Sequence, residues 1–321
     1  MTTPRVAPGP TAASGVGSAH AKAVLLGEHA VLYGSPALAL PVPALPVTAR
    51  ATRFAEPGEV SFLTTGSLGT APYPGEGLRA AAEVLDGTGG RRVEVLLDSS
   101  IPFGRGLGSS AACARAAVLA IADLLGRDLA PAEVYELVQT AEQVEHGRAS
   151  GVDAVTTGSP TPLVFRDGVA EPVHIGFPGV FVIADSGTTG RTRDAVQLVR
   201  AGFERRPGAL AKFVDAVTAL TGAAVRDLAS GNAAGFGARL TDCHALLRVL
   251  GVSTEPLDVL VDAALAAGGL GAKLSGGGLG GCVVALADRP DRARELARAL
   301  LTAGAVRIWA VPVGGCADDG R

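Results

Sequence analysis

The chain has 321 residues with a formal charge of −3, long enough for one large or two ordinary domains and a substantial core. That balance argues against a general nucleic-acid surface. At 48% hydrophobic but only 4% aromatic, the chain reads as globular rather than disordered, with a core of Ala, Val and Leu.

Residues 1–15 have no apolar run behind a basic start and read as a flexible tail, not a signal peptide. Short strands are expected at 23–26, 37–42, 47–53 and 60–63, with Pro and Gly between them. Pro41, Pro43 and Pro46 break the most apolar early run, so no stretch is long enough to span a membrane. A helix near 77–85 precedes a strand at 93–97. After it comes IPFGRGLGSSAA, residues 101–112, in which Gly104, Gly106 and Gly108 alternate before an Ala-rich helix running to about Leu125. Glycines let backbone N–H groups turn inward around an anion, and a helix start adds unpaired donors. Ser109 and Ser110 stand at that junction, where a hydroxyl can cap the helix or reach a metal. The segment is not a Walker A loop, since no lysine follows the glycines, and it lacks the third glycine of a dinucleotide fingerprint.

Pro131 starts a further helix, with Val134, Leu137, Val138, Ala141 and Val144 on one face and Gly147 as its stop. Glu142 and Glu145 fall on or beside that apolar stripe, where an acid needs a partner such as Mg²⁺. Helical geometry does not choose between the two. Asp167-Gly168 reads as a hairpin turn. Near residue 177 the texture changes to a strand at 180–184, Ala/Leu-rich helices over 194–267, and then strand, glycine loop, strand, helix and strand to 313. Two α+β domains are therefore expected, 1–177 and 178–321. Cys113, Cys243, Cys282 and Cys316 form no C-x-x-C pair, which suits reduced thiols and a cytoplasmic location. Of 28 basic residues only Lys22, Lys212 and Lys273 are lysines, and two of these sit beside glycine-rich motifs, where a compact ammonium is useful.

The pattern P-x-G-x-G-L-G-S-S-A resembles the second motif of the GHMP kinases, the family of galactokinase and of homoserine, mevalonate and phosphomevalonate kinases. Residues 22–34, KAVLLGEHAVLYG, resemble the first motif and are similar in wording to the mevalonate kinase branch. Residues 273–282, KLSGGGLGGC, resemble the third. The likeness spans roughly 16–313. It departs where SAHAK replaces the usual APGK, where Leu279 replaces a glycine, and at Cys113, where some relatives carry an aromatic residue near the nucleotide.

The resemblance implies a two-domain α+β fold, with a ribosomal S5-like N-terminal domain, a ferredoxin-like C-terminal domain and the active site in the cleft between them. It implies ATP and Mg²⁺, with the phosphates held by Pro102, Gly104, Arg105, Gly106, Leu107, Gly108, Ser109, Ser110 and Ala111, and by Gly276, Gly277 and Gly278 of the third motif. Mevalonate kinases carry the metal-binding glutamate eleven residues before the S-G-V-D aspartate, which selects Glu142; Ser110 is the second metal ligand. Asp153 and Lys22 become the catalytic pair. The acceptor site would take Lys22, Glu28, His29, Asp153 and Thr192, with Arg191 or Arg193 supplying a cation. Mevalonate is the expected acceptor. A sister kinase and a non-catalytic nucleotide-binding regulator are the alternatives, the second disfavoured because Lys22, Glu142 and Asp153 all persist. Neither nucleic acid nor membrane is an expected partner, and a homodimer stays open.

Overall fold

The computed structural model describes residues 13–65, 71–73, 75–85 and 90–314, and these form two sheets backed by helices. The first is built around β2 (Ala37–Pro57). One edge of β2 pairs antiparallel with β1 (Ser14–Leu26). Its other edge is shared by β5 (Arg91–Ser99) along 47–57 and by β6 (Leu163–Arg166) along 37–39. β3 (Val60–Thr65) runs parallel to β5, while β4 (Ala71–Pro72) and β7 (Val169–Pro172) close the two ends. Helices α1 (Glu76–Leu85), α2 (Ser109–Leu124) and α3 (Pro131–His146) pack on this sheet and on each other.

The second sheet has the order β11-β8-β10-β9, antiparallel throughout, with β8 (Gly179–Asp185), β9 (Gly271–Ser275), β10 (Cys282–Ala287) and β11 (Arg307–Val313). Numbered within the sheet this is 4-1-3-2, the ferredoxin-like arrangement. Its first crossover is expanded to four helices: α5 (Thr192–Glu204), α6 (Ala209–Ala229), α7 (Ala233–Val249) and α8 (Glu255–Ala266). Helix α9 (Pro290–Thr302) makes the second crossover. Every residue of β8, β9 and β10 is buried; β8 and β10 read as nearly continuous apolar runs, while Asp185, Lys273 and Ser275 are polar groups buried with them.

Three expectations change. The two strands expected at 37–42 and 47–53 are one strand, because over residues 40–46 β2 pairs only with β1, and a bulge there skips from Val42 to Pro46. Prolines are tolerated where no second ladder needs their missing N–H. Ser14 and Gly15, counted with the tail, pair with Thr52 and Ala51 in β1; residues 1–12 lie outside the described set, as does Cys316. Val144 is exposed rather than on the buried stripe of α3, and Cys113 is fully buried within α2. The hairpin at Asp167-Gly168 forms as expected, with φ of +49° and +83°, the left-handed pair of a tight two-residue turn.

With few aromatics, this core is compact because backbones approach closely. Alanines line α2, and β1 meets the helix through Gly17, where an added Cβ would lie 2.2 Å from the Ala116 carbonyl oxygen. Gly17→Ala is therefore expected to lower stability by about 1–3 kcal/mol, the usual cost of overpacking. Urea unfolding checks this; an unchanged midpoint would show that the strand and helix can separate at no cost.

Candidate active site

Between the two sheets lies a cavity of about 470 Å³, within the size range of small-molecule sites. Its floor is the glycine loop that precedes α2. Gly104, Gly106 and Gly108 all have positive φ, near +70°, and Gly108 is the residue that caps α2. The first N–H groups of a sixteen-residue helix are thereby turned toward the cavity. Ser109 and Ser110 line it, but neither caps the helix through its side chain.

β1 brings Lys22 under this loop. The backbone N–H of Lys22 donates to the Leu107 carbonyl, and its side chain lies across Gly108. The ammonium reaches the Gly106 carbonyl at 3.1 Å and Asp153 Oδ1 at 3.0 Å. Lys22 is 3% exposed, so the pair is held in a partly dehydrated setting. Asp153 sits in the first turn of α4 (Val152–Thr156), behind Gly151 with φ +96°.

The third motif closes the other side. Gly106 and Gly276 meet backbone to backbone: a Cβ on Gly276 would lie 3.0 Å from Gly106 Cα, and one on Gly106 would lie 2.8 Å from the Ser275 carbonyl oxygen. Glu28 and His29 tie the first motif to this second half. Glu28 is buried in an ion pair with Lys273, which is fully buried, and Glu28 Oε2 has no partner. His29 Nε2 donates to the Gly277 carbonyl at 2.9 Å. Burial lowers the pKa of this imidazole, which favours the neutral ring. Leu279 adopts φ +58°, a left-handed conformation that costs a side-chain-bearing residue about 1–2 kcal/mol, so the family's usual glycine there has a physical reason.

Geometry separates the two glutamates that periodicity left together. Glu142 is 4% exposed, whereas Glu145 is exposed on α3. Burial, and then the charge of Asp153, raise the Glu142 carboxyl to about 8; a bond from Ser110 and the charge of Lys22 oppose the shift only in part. His146, which sequence reasoning passed over, lies 3.7 Å from Glu142 Oε2 and 3.1 Å from Ser110 Oγ. Its one signal was its place four residues after Glu142, on the same helix face. Gln139 on the same face was also missed; it lines the cavity and its Oε1 is buried without a partner.

Thr192, at the start of α5, lines the cavity and packs on Gly277. Arg193 donates to the Glu145 carbonyl at 2.6 Å, and Arg191 is largely exposed, 3.8 Å from Asp194. Some expected phosphate contacts do not face the cavity. Leu107 and Ala111 are buried, Gly278 packs on Val252, and the Arg105 guanidinium is occupied by Asp185 at 3.1 Å and Thr189 at 3.0 Å. Pro102 likewise lies outside the lining. Cys282 is buried with its thiol pushed up by burial, which suits a packing role. Among the described residues no helix is long and apolar enough to cross a membrane.

Comparison with known proteins gives the family and agrees with the fold. The family model for the GHMP kinases N terminal domain matches residues 77–159, and that for the GHMP kinases C terminal region matches 224–306. The chain is 34% identical to the mevalonate kinase of Pyrococcus horikoshii, over 90% of this chain and 92% of that protein. In structure it resembles the L. major mevalonate kinase crystallised with R-mevalonate (TM-score 0.81, 24% identity, 96% of this chain and 99% of that one). It also resembles the Streptococcus pneumoniae phosphomevalonate kinase (TM-score 0.73, 17% identity, 92% and 99%). The fold is thus shared by kinases with different acceptors.

The Glu142 carboxyl makes a stability prediction that needs no ligand. Its folded value, about 8, lies above its ordinary 4.5, so the folded chain binds the extra proton. The stability this contributes is full below pH 4.5 and is lost as pH rises through about 8. Melting temperatures of the wild type and Glu142→Gln, measured without nucleotide, should nearly coincide at pH 5, with the variant higher at pH 8.5. A difference independent of pH would contradict the assignment.

Proposed function

The chain belongs to the GHMP kinase family, and on that premise we propose that it transfers the γ-phosphoryl group of ATP to the 5-hydroxyl of mevalonate, giving 5-phosphomevalonate. The observation that carries this reading is the Lys22–Asp153 pair, held at 3.0 Å at the mouth of the phosphate-binding loop. The division into domains 1–177 and 178–321 is supported by the break between the sheets after β7, with the site between them.

In this mechanism the Gly104–Gly108 backbone and the start of α2 bind the phosphates, and Gly276 and Gly277 cover them from the second half. Asp153 accepts a hydrogen bond from the acceptor hydroxyl and orients its oxygen. Whether proton transfer precedes or follows attack matters little in a loose phosphoryl-transfer transition state. Lys22 faces the equatorial oxygens, and its bond to Gly106 keeps the ammonium there without reorganisation.

Ser110 and Glu142 fit a magnesium site. One is a hydroxyl and the other a carboxylate whose proton affinity is raised by burial and by the charge of Asp153, a setting that a cation would favour. When bound, the ion supplies charge neutralisation at the phosphates.

The acceptor carboxylate is assigned to Arg191 or Arg193, beside Thr192 and His29. Among the lining residues the Lys and Arg cations are Lys22, Arg148, Arg191 and Arg193, and the Lys22 charge is already paired with Asp153. A phosphorylated acceptor, with roughly two more negative charges, calls for several free cations. Measured under identical Mg²⁺–ATP conditions by coupled ADP release, kcat/KM is expected to favour mevalonate over phosphomevalonate by a wide margin. Comparable or better use of phosphomevalonate would move the chain to the sister activity.

Asp153→Asn and Lys22→Met should each lower kcat by about 10²–10⁴, the range for positioned acid–base and charge-stabilising groups, while ADP affinity by calorimetry stays near wild type. Near-normal turnover in both variants would sink the mechanism.

A further inference from the structure

The two oxygen donors assigned to the metal share a neighbour that the chemistry above leaves unused. His146 follows Glu142 by four residues on α3, so both side chains leave the same helix face. Its Nε2 lies 3.1 Å from Ser110 Oγ, a hydrogen bond, and 3.7 Å from Glu142 Oε2, which is too long to be one. The imidazole is about 29% exposed and lines the cavity, so it stands at the site rather than in the core.

A serine hydroxyl that gives a lone pair to a cation keeps its proton, and that proton needs an acceptor on another side of the oxygen. Two acceptors stand at Ser110: the Glu142 carboxylate and His146 Nε2. Of the two assigned ligands only the carboxylate is charged, and a proton between it and Ser110 would use one of its oxygens. The ring nitrogen has no such competing task. We propose that His146 is a positioning residue of the metal site: its Nε2 accepts the Ser110 hydroxyl proton, leaving the serine lone pairs and both Glu142 oxygens free for the cation. This rests on reading Ser110 and Glu142 as the metal ligands, but not on the identity of the acceptor.

The test uses Mn²⁺ as the probe, with ADP present and the full chain, and follows free Mn²⁺ by electron paramagnetic resonance, so no turnover is needed. His146→Ala is expected to weaken Mn²⁺ binding by about 10–100-fold, the usual cost of removing an outer partner of a metal ligand. His146→Gln, whose side-chain oxygen can accept at similar reach, should recover most of that loss. In a Ser110→Ala background, His146→Ala should cost little more, because the bond it removes is already gone. Wild-type binding in His146→Ala, no recovery in His146→Gln, or an undiminished loss in the Ser110→Ala background would each overturn the proposal. Glu142→Gln separates the layers. Unaltered Mn²⁺ binding there overturns the metal site itself, whereas loss there with His146→Ala intact overturns only the role of His146.

Discussion

Two backbones touch where the halves of this molecule meet, and the site depends on that contact. Gly106 and Gly276 approach so closely that a methyl group on either would sit about 3 Å or less from main-chain atoms of the other loop. Side chains at these positions would wedge the halves apart and open the cavity to bulk water. Around the contact, polar bonds fix the halves in one arrangement. Gly190 donates to the Gly104 carbonyl, Arg105 pairs with Asp185, and His29 reaches the Gly277 carbonyl. Beneath them Lys273 and Glu28 form an ion pair with both side chains buried. A buried pair adds little net stability but is costly to break from one side. It therefore specifies this arrangement of the halves more than it strengthens it.

The electrostatics follow from that geometry. Lys22 lies under the glycine loop with its charge shared between a carbonyl and Asp153, so the cation is held in one orientation at the cavity; in the proposed function that is where phosphoryl oxygens would arrive. Glu142 is the opposite case, a carboxyl held in a dry place with its proton affinity raised. The site is thus unfavourable for one ionised acid, which the nearby Lys22 charge offsets only in part. Such local cost at a functional centre is offset by the close-packed Ala, Val and Leu core on either side.

Much of this was legible in the chain, for definite reasons. Alternating glycines before an Ala-rich run pointed to a tight loop ahead of a helix start, and the left-handed backbone at Gly104, Gly106 and Gly108 bears that out. The Pro131 and Gly147 boundaries of α3 followed from capping chemistry, and the hairpin at Asp167-Gly168 from two-residue turn chemistry. Other features were hidden because they depend on partners distant in sequence. Whether Pro41 to Pro46 break a strand depends on which neighbours flank β2 at that point. Glu142 and Glu145 differ only in what covers them, which periodicity does not report. Arg105 reads as a phosphate ligand until Asp185, eighty residues away, takes its guanidinium. His146 was overlooked because a lone histidine at a helix end has many ordinary explanations. Only its distance to Ser110 distinguishes it.

If the proposed function holds, one cleft aligns an acceptor hydroxyl on Asp153, beside the Lys22–Asp153 pair and opposite the glycine loop. A crystal structure with Mg²⁺, a non-hydrolysable ATP analogue and mevalonate tests this most directly. The account predicts the 5-hydroxyl oxygen within hydrogen-bond distance of Asp153, the γ-phosphate beside Lys22, and the metal on Ser110 and Glu142. Mevalonate bound with its 5-hydroxyl turned away from Asp153, or a metal held without Glu142, would contradict it.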